Sequence, residues 1–129
     1  MPKPTLIAIV EDDRFFRESM SRLMRSWGYR VETFPSAADF LASHHLGETD
    51  CLIADVQMPT MTGPALYRHL IASGYAIPTI LVTAYSDDRV RARALKDGVV
   101  CYIRKPVNEK HLLRGLHEAL SRKPTEDDS

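Results

Sequence analysis

Five positions spread along the chain carry side chains suited to chemistry: Glu11, Asp12, Asp55, Thr83 and Lys105. Each follows or closes a short apolar run, so each stands where a buried segment reaches the surface. Three carboxylates a few ångströms apart do not all stay ionised unaided; they need a cation, or one must hold a proton. Hard oxygen donors with room for water favour Mg²⁺ or Mn²⁺ over zinc. Lys105 adds a mobile positive charge, and Thr83 a hydroxyl that can donate to an oxyanion. A metal, an ammonium and a hydroxyl around one carboxylate make a phosphoryl-transfer site with that carboxylate as nucleophile. Asp55 fits the nucleophile's place, because it stands alone at its exit while Glu11 and Asp12 are paired and placed to hold metal. In-line attack requires the equatorial phosphate oxygens to be neutralised, which the cation and Lys105 can do.

The chemistry depends on elements that bring these residues together. Leu6–Val10 is a continuous apolar run rich in β-branched residues, the pattern of a strand covered on both faces. The acids at 11–13 then open a helix whose apolar stripe is Phe16, Met20, Leu23, Met24 and Trp27, stopped by Gly28. Arg30–Phe34 reads as a shorter edge strand, and Ser36 as the N-cap of a second helix that buries Phe40 and Leu41. Residues 44–50 read as loop and 51–54 as the third strand, ended by Asp55 and, beyond it, Pro59. Pro64 opens a helix with Leu66, Leu70 and Ile71 inward. Thr79–Thr83 is the fourth strand, and Val90, Ala94 and Leu95 form the inner side of the helix after it. Residues 99–103 are the fifth strand, and Asn108 caps a last helix carrying Leu112, Leu113, Leu116 and Leu120.

Strand and helix alternate five times without a repeat, which predicts a parallel sheet with helices on both faces. The expected fold is flavodoxin-like α/β, doubly wound, with five strands in the order 2-1-3-4-5 and five helices. Working sites in such sheets lie at the carboxyl ends of the strands. With neighbouring strands about 4.8 Å apart, the exits of strands one and three would place Glu11, Asp12 and Asp55 in one cluster. The domain is expected over residues 1–121, with 122–129 a polar tail or a cut linker.

The set Glu11-Asp12, Asp55-Val56-Gln57-Met58-Pro59-Thr60-Met61-Thr62-Gly63, Thr83-Ala84 and Lys105-Pro106 resembles the receiver domains of two-component response regulators. The resemblance covers nearly the whole chain, about residues 6–120. Stretches such as Gly28-Tyr29-Arg30-Val31 and Phe34-Pro35-Ser36-Ala37 look most like the nitrogen-fixation-regulator (FixJ-like) type, which commonly precedes a helix-turn-helix output domain. It implies that Asp55 accepts a phosphoryl group from a histidine kinase or phosphotransfer protein. It further implies that Mg²⁺ is held by Asp12, Asp55 and the backbone carbonyl of Gln57, with Glu11 acting mainly through water. Lys105 and Thr83 would contact phosphoryl oxygens, and the bond before Pro106 would be cis. Tyr102 matches the aromatic whose rotamer follows the threonine in the family's switch, which repacks the last strand and helix. Such a domain catalyses its own phosphorylation and dephosphorylation without turnover on an external substrate. Two departures stand out: Glu11 replaces the more frequent Asp, and Gly98-Val99-Val100-Cys101 replaces the usual glycine-alanine-acid run. Gln57 and Tyr85 occupy positions that tune acyl-phosphate hydrolysis in the family.

Each residue also has a plainer reading. Alone, the acids at 11–13 would be a charged helix start, Thr83 a strand former and Lys105 a surface charge. Tyr102 reads almost equally well as half-buried strand packing. The five histidines lack ligand spacing and read as surface. Cys51 and Cys101 fall on strands three and five, roughly 10 Å apart and beyond disulfide reach; with no export signal in the sequence, they suggest a reducing, cytoplasmic setting. Arg89, Arg91, Arg93 and Lys96 make a solvated face or, alternatively, a docking or homodimer surface formed by helix 4, strand 5 and helix 5.

The 129 residues are 44% hydrophobic and 26% charged, as in a globular domain, and carry no membrane-span pattern. Seventeen basic residues balance seventeen acidic ones, which argues against direct nucleic-acid binding by this chain. A haloacid-dehalogenase-type phosphatase wants a second Asp two residues after the nucleophile, where this chain has Gln57. A phosphate-independent receiver-shaped module is disfavoured by the intact acid, Asp, Thr and Lys set, and nucleotide or flavin binding by the lack of a glycine-rich turn after the first strand.

Overall fold

The computed structural model describes residues 5–122, so the readings of the extreme N-terminus and of 123–129 as tail lie outside the described residues. Five strands, β1 (Leu6–Val10), β2 (Arg30–Phe34), β3 (Cys51–Asp55), β4 (Thr79–Thr83) and β5 (Cys101–Arg104), pair in parallel in the order β2-β1-β3-β4-β5. Between and after them run α1 (Arg14–Ser26), α2 (Ala37–Leu41), α3 (Gly63–Ala72), α4 (Asp88–Asp97) and α5 (Glu109–Arg122). This is the flavodoxin-like fold expected from the alternation of elements. Among the described residues, no helix is long and apolar enough to cross a membrane.

The central strands β1, β3 and β4 are buried along their whole length because both faces of the sheet are covered. One face sends Ala8, Val10, Leu52, Ala54 and Leu81 into a core with Phe40, Leu66 and Leu70 from α2 and α3. The other sends Ile7, Ile9, Ile53, Ile80, Val82 and Ile103 against Met20, Met24, Leu112 and Leu116 from α1 and α5. Successive side chains point to opposite faces, so this split carries forward to the site. Ile9, Ile53 and Ile103 stand two residues before Glu11, Asp55 and Lys105, and share their parity. Leu81 stands two before Thr83 and lies in the opposite core.

Several helix ends follow local chemistry. Asp13 caps α1 by accepting from the Phe15 and Phe16 N–H groups, Ser36 caps α2, and Asp87 caps α4. Gly98 ends α4 at φ +114°, where an added Cβ would also lie 2.6 Å from the Tyr67 hydroxyl. The Val99 N–H still bonds the Ala94 carbonyl at 3.0 Å, which ties Val99 to the helix end. For that reason β5 starts at Cys101, two residues later than the sequence pattern indicates. Asp55 is itself the last residue of β3, and residues 46–48 of the expected loop form a 3₁₀ turn. Ile71 and Leu95, expected inward, are exposed, while Tyr67 and Ala94 are buried on their helices. Apolar content alone does not fix helix phase when the inward arc is narrow.

Candidate functional site

Four backbone hydrogen bonds fix the strand exits. The Glu11 N–H bonds the Phe34 carbonyl at 3.0 Å, the Val56 N–H bonds Val82 O at 2.8 Å, and the Lys105 N–H bonds Thr83 O at 2.7 Å. The loop after Asp55 is closed by the Gly63 N–H on Val56 O at 3.1 Å. Gly63 is required there: an added Cβ would overlap the Asp55 carbonyl oxygen and lie 2.9 Å from Leu81 Cδ2. Thr60, within the same loop, takes φ +71°. The Lys105–Pro106 peptide is cis.

These exits bring Glu11, Asp12 and Asp55 together, with one carboxylate oxygen from each lying within 4.8 Å of the others. Glu11 and Asp55 are buried, at 1% and 6% exposure, whereas Asp12 is exposed at the rim. Both oxygens of Asp55 have partners: Oδ1 accepts the Gln57 N–H at 2.9 Å, and Oδ2 accepts Lys105 Nζ at 2.9 Å. Lys105 Nζ also donates to Glu11 Oε1 at 2.9 Å, and the ring of half-buried Phe16 lies beneath it, 4.0 Å to the centroid. Arg17 Nη1 donates to the Glu11 carbonyl at 2.7 Å, tying α1 to the acidic loop.

Burial pushes the Glu11 carboxyl up, the neighbouring Asp55 carboxylate adds to this, and Lys105 only partly opposes it, so its pKa rises from 4.5 to about 8. Burial and the neighbouring Asp55 thus both disfavour ionisation of Glu11 in the metal-free protein. Desolvation pulls the Lys105 ammonium down, but hydrogen bonds and charge from Asp55 and Glu11 outweigh it, and its pKa is raised. Glu11 Oε2 is buried without a hydrogen-bond partner. A buried, unpartnered oxygen in an all-oxygen donor set, open to solvent at Asp12, suits a hard divalent cation.

Thr83 sits apart from this charge network. Its hydroxyl donates to the Tyr85 carbonyl at 3.0 Å and accepts the Tyr85 N–H at 3.1 Å, so both functions are engaged by its own loop. Tyr102 is buried in the core on the α3 side, and its hydroxyl has no partner. Tyr85 is 71% exposed. Cys51 and Cys101 are free thiols, and Cys101 Sγ lies 3.6 Å from His111 Nε2, so His111 is not the plain surface residue expected. Sequence reasoning placed Phe16 only on an apolar stripe and did not find its contact with Lys105. The available signal was its place on the first turn of the helix that begins at the acids.

The chain matches the family model described as the response regulator receiver domain over residues 7–117. It is 37% identical over 122 residues to the response regulator protein TodT of Pseudomonas putida, covering 95% of this chain and 54% of that protein. To the transcriptional regulatory protein TdiR of Thauera aromatica it is 32% identical over 115 residues, covering 89% of this chain and 51% of that protein. The crystal structure of FixJ-N superimposes with a TM-score of 0.85 at 27% identity, covering 96% of this chain and 99% of that one. The chain thus spans about half the length of these curated relatives.

Proposed function

Because this chain belongs to the response regulator receiver family, we propose that Asp55 is its phosphoacceptor in a two-component phosphorelay. The supporting observation is the Asp55 carboxylate itself, buried at a strand exit and oriented through Oδ1 by the Gln57 N–H and through Oδ2 by Lys105. The donor is a phosphohistidine on a histidine kinase or phosphotransfer protein. An Asp55 oxygen attacks phosphorus as the P–N bond to the donor imidazole breaks, and the imidazole leaves with the electron pair.

Mg²⁺, or Mn²⁺ in its place, would be held by Asp12, Asp55 and the Gln57 carbonyl, with Glu11 acting through water. When bound it supplies charge neutralisation to the phosphate oxygens. Lys105 orients the acceptor carboxylate and then offers its ammonium to a phosphoryl oxygen. Thr83 releases Tyr85 and turns its hydroxyl to the same group, and Tyr102 moves into the space this opens. That movement changes the face formed by α4, β5 and α5, where Arg89, Arg91, Arg93 and Lys96 make a candidate surface for an output domain or for homodimerisation. Formal net charge of zero favours signalling through a protein contact over direct binding of nucleic acid. Free thiols agree with a reducing, cytoplasmic setting.

The reading is tested by incubating the protein with a small phosphodonor and Mg²⁺ and measuring intact mass. Wild type should gain one phosphoryl group and Asp55→Asn none. An unlabelled wild type, or equal labelling of the variant, refutes it.

A further inference from the structure

Three groups surround the Lys105 ammonium: Glu11 Oε1 and Asp55 Oδ2, each at 2.9 Å, and the face of Phe16 at 4.0 Å. The two carboxylates are contested partners. A cation among the acids competes for their charge, and phosphorylation converts the Asp55 carboxylate into an acyl phosphate and removes its negative oxygen from this pair. The ring is not contested. A hard divalent ion takes oxygen ligands rather than a π face, and the negative face of the ring repels a phosphoryl oxygen. Phe16 is also held in place from both sides of the contact, since it lies on α1 immediately beyond the Asp13 cap and packs into the core between α1 and α5. Its neighbour Phe15, by contrast, is 82% exposed.

We propose that Phe16 is a positioning residue for phosphoryl transfer, its ring holding the Lys105 ammonium over the reacting centre through a cation–π contact. It acts through Lys105 and touches neither donor nor acceptor. The role rests on the assignment of Asp55 as phosphoacceptor. Once the acids turn to a cation or a phosphoryl group, the ring keeps the ammonium within reach of the incoming phosphate oxygens. Without it, a long flexible side chain would have to be reordered in every transfer.

The test separates the ring's charge distribution from its bulk. Phe16→Leu keeps an apolar side chain, Phe16→Tyr keeps the aromatic face, and Phe15→Leu alters the exposed neighbour. Each full-length variant is labelled at saturating Mg²⁺ with acetyl phosphate, and the second-order rate constant is read from intact mass. Phe16→Leu should lose about three- to tenfold, with Phe16→Tyr within about twofold of wild type and Phe15→Leu unchanged. In Mg²⁺-free protein, the Lys105 Hε proton resonances should be shifted upfield by the ring current in wild type and Phe16→Tyr, and should lose that shift in Phe16→Leu. A wild-type rate in Phe16→Leu, equal losses in Leu and Tyr, or an absent ring-current shift would each overturn the proposal. A wild type that takes no label sinks the Asp55 assignment itself, a result distinct from a labelled wild type that Phe16→Leu leaves untouched.

Discussion

The two sides of the sheet's carboxyl edge are built on opposite terms. On the side shared with α1 and α5, charge organises the groups: Lys105 bridges Glu11 and Asp55 at 2.9 Å each, the Phe16 ring closes the contact, and Glu11 Oε2 alone is left without a partner among the described residues. On the side shared with α3 and α4, two hydroxyls stand uncommitted to the acids. Thr83 is bound to the backbone of Tyr85, and the Tyr102 hydroxyl is buried without a partner. Under the proposed function, the first arrangement holds the reacting centre, and the second has bonds it can exchange. A buried unpaired hydroxyl costs about 1–3 kcal/mol, so the resting position of Tyr102 carries a penalty. The labour is divided under the proposed function, with chemistry on the charged side and signal readout on the other.

The strongest way to break this contrast is to empty the charged side. Lys105→Met should lower Asp55 labelling by a small phosphodonor by about a hundredfold or more, since it removes the charge facing the phosphoryl oxygens. Labelling within about tenfold of wild type would mean that the ammonium is dispensable.

The raised pKa of Glu11 gives a second handle. Its carboxyl titrates near 8 in the fold and 4.5 in the reference state. Between these values the folded protein binds more protons than the unfolded chain, so this group's contribution to stability is full below about 4.5 and declines as pH rises to about 8. In metal-free protein, chemical denaturation of wild type should show that decline, and Glu11→Gln should flatten it. Cation binding favours the ionised carboxyl, so Mg²⁺ affinity measured by NMR titration should rise between about pH 6 and pH 8 in wild type, and less steeply in Glu11→Gln. A pH-independent affinity in wild type would count against a shared site.

The smallest effect belongs to the hydroxyl side. Tyr102→Phe removes the unpartnered oxygen and keeps the ring, and should stabilise the unphosphorylated protein by about 1 kcal/mol in urea unfolding. A loss of stability would show that the hydroxyl has a favourable role at rest, and the contrast between the two sides would fall.

Much of this molecule is legible in the amino-acid order. Short apolar runs separated by helical patterns point to a parallel sheet covered on both faces. The strand exits then set which acids, hydroxyl and lysine meet, because side-chain parity in a strand is a local property of the backbone. Local signals were weaker for the start of β5 and for the phase of α3 and α4, where the Gly98 cap and the packing of Tyr67 decided which residues turned inward. Three features belong to the tertiary structure alone: the raised pKa of Glu11, the engagement of Thr83 by Tyr85, and the ring of Phe16 under Lys105. The first depends on desolvation by the whole fold, the second on the course of a loop, and the third on how α1 docks against a segment 89 residues away. Composition and spacing name the groups that can react; distance and burial fix which partners they hold before they do.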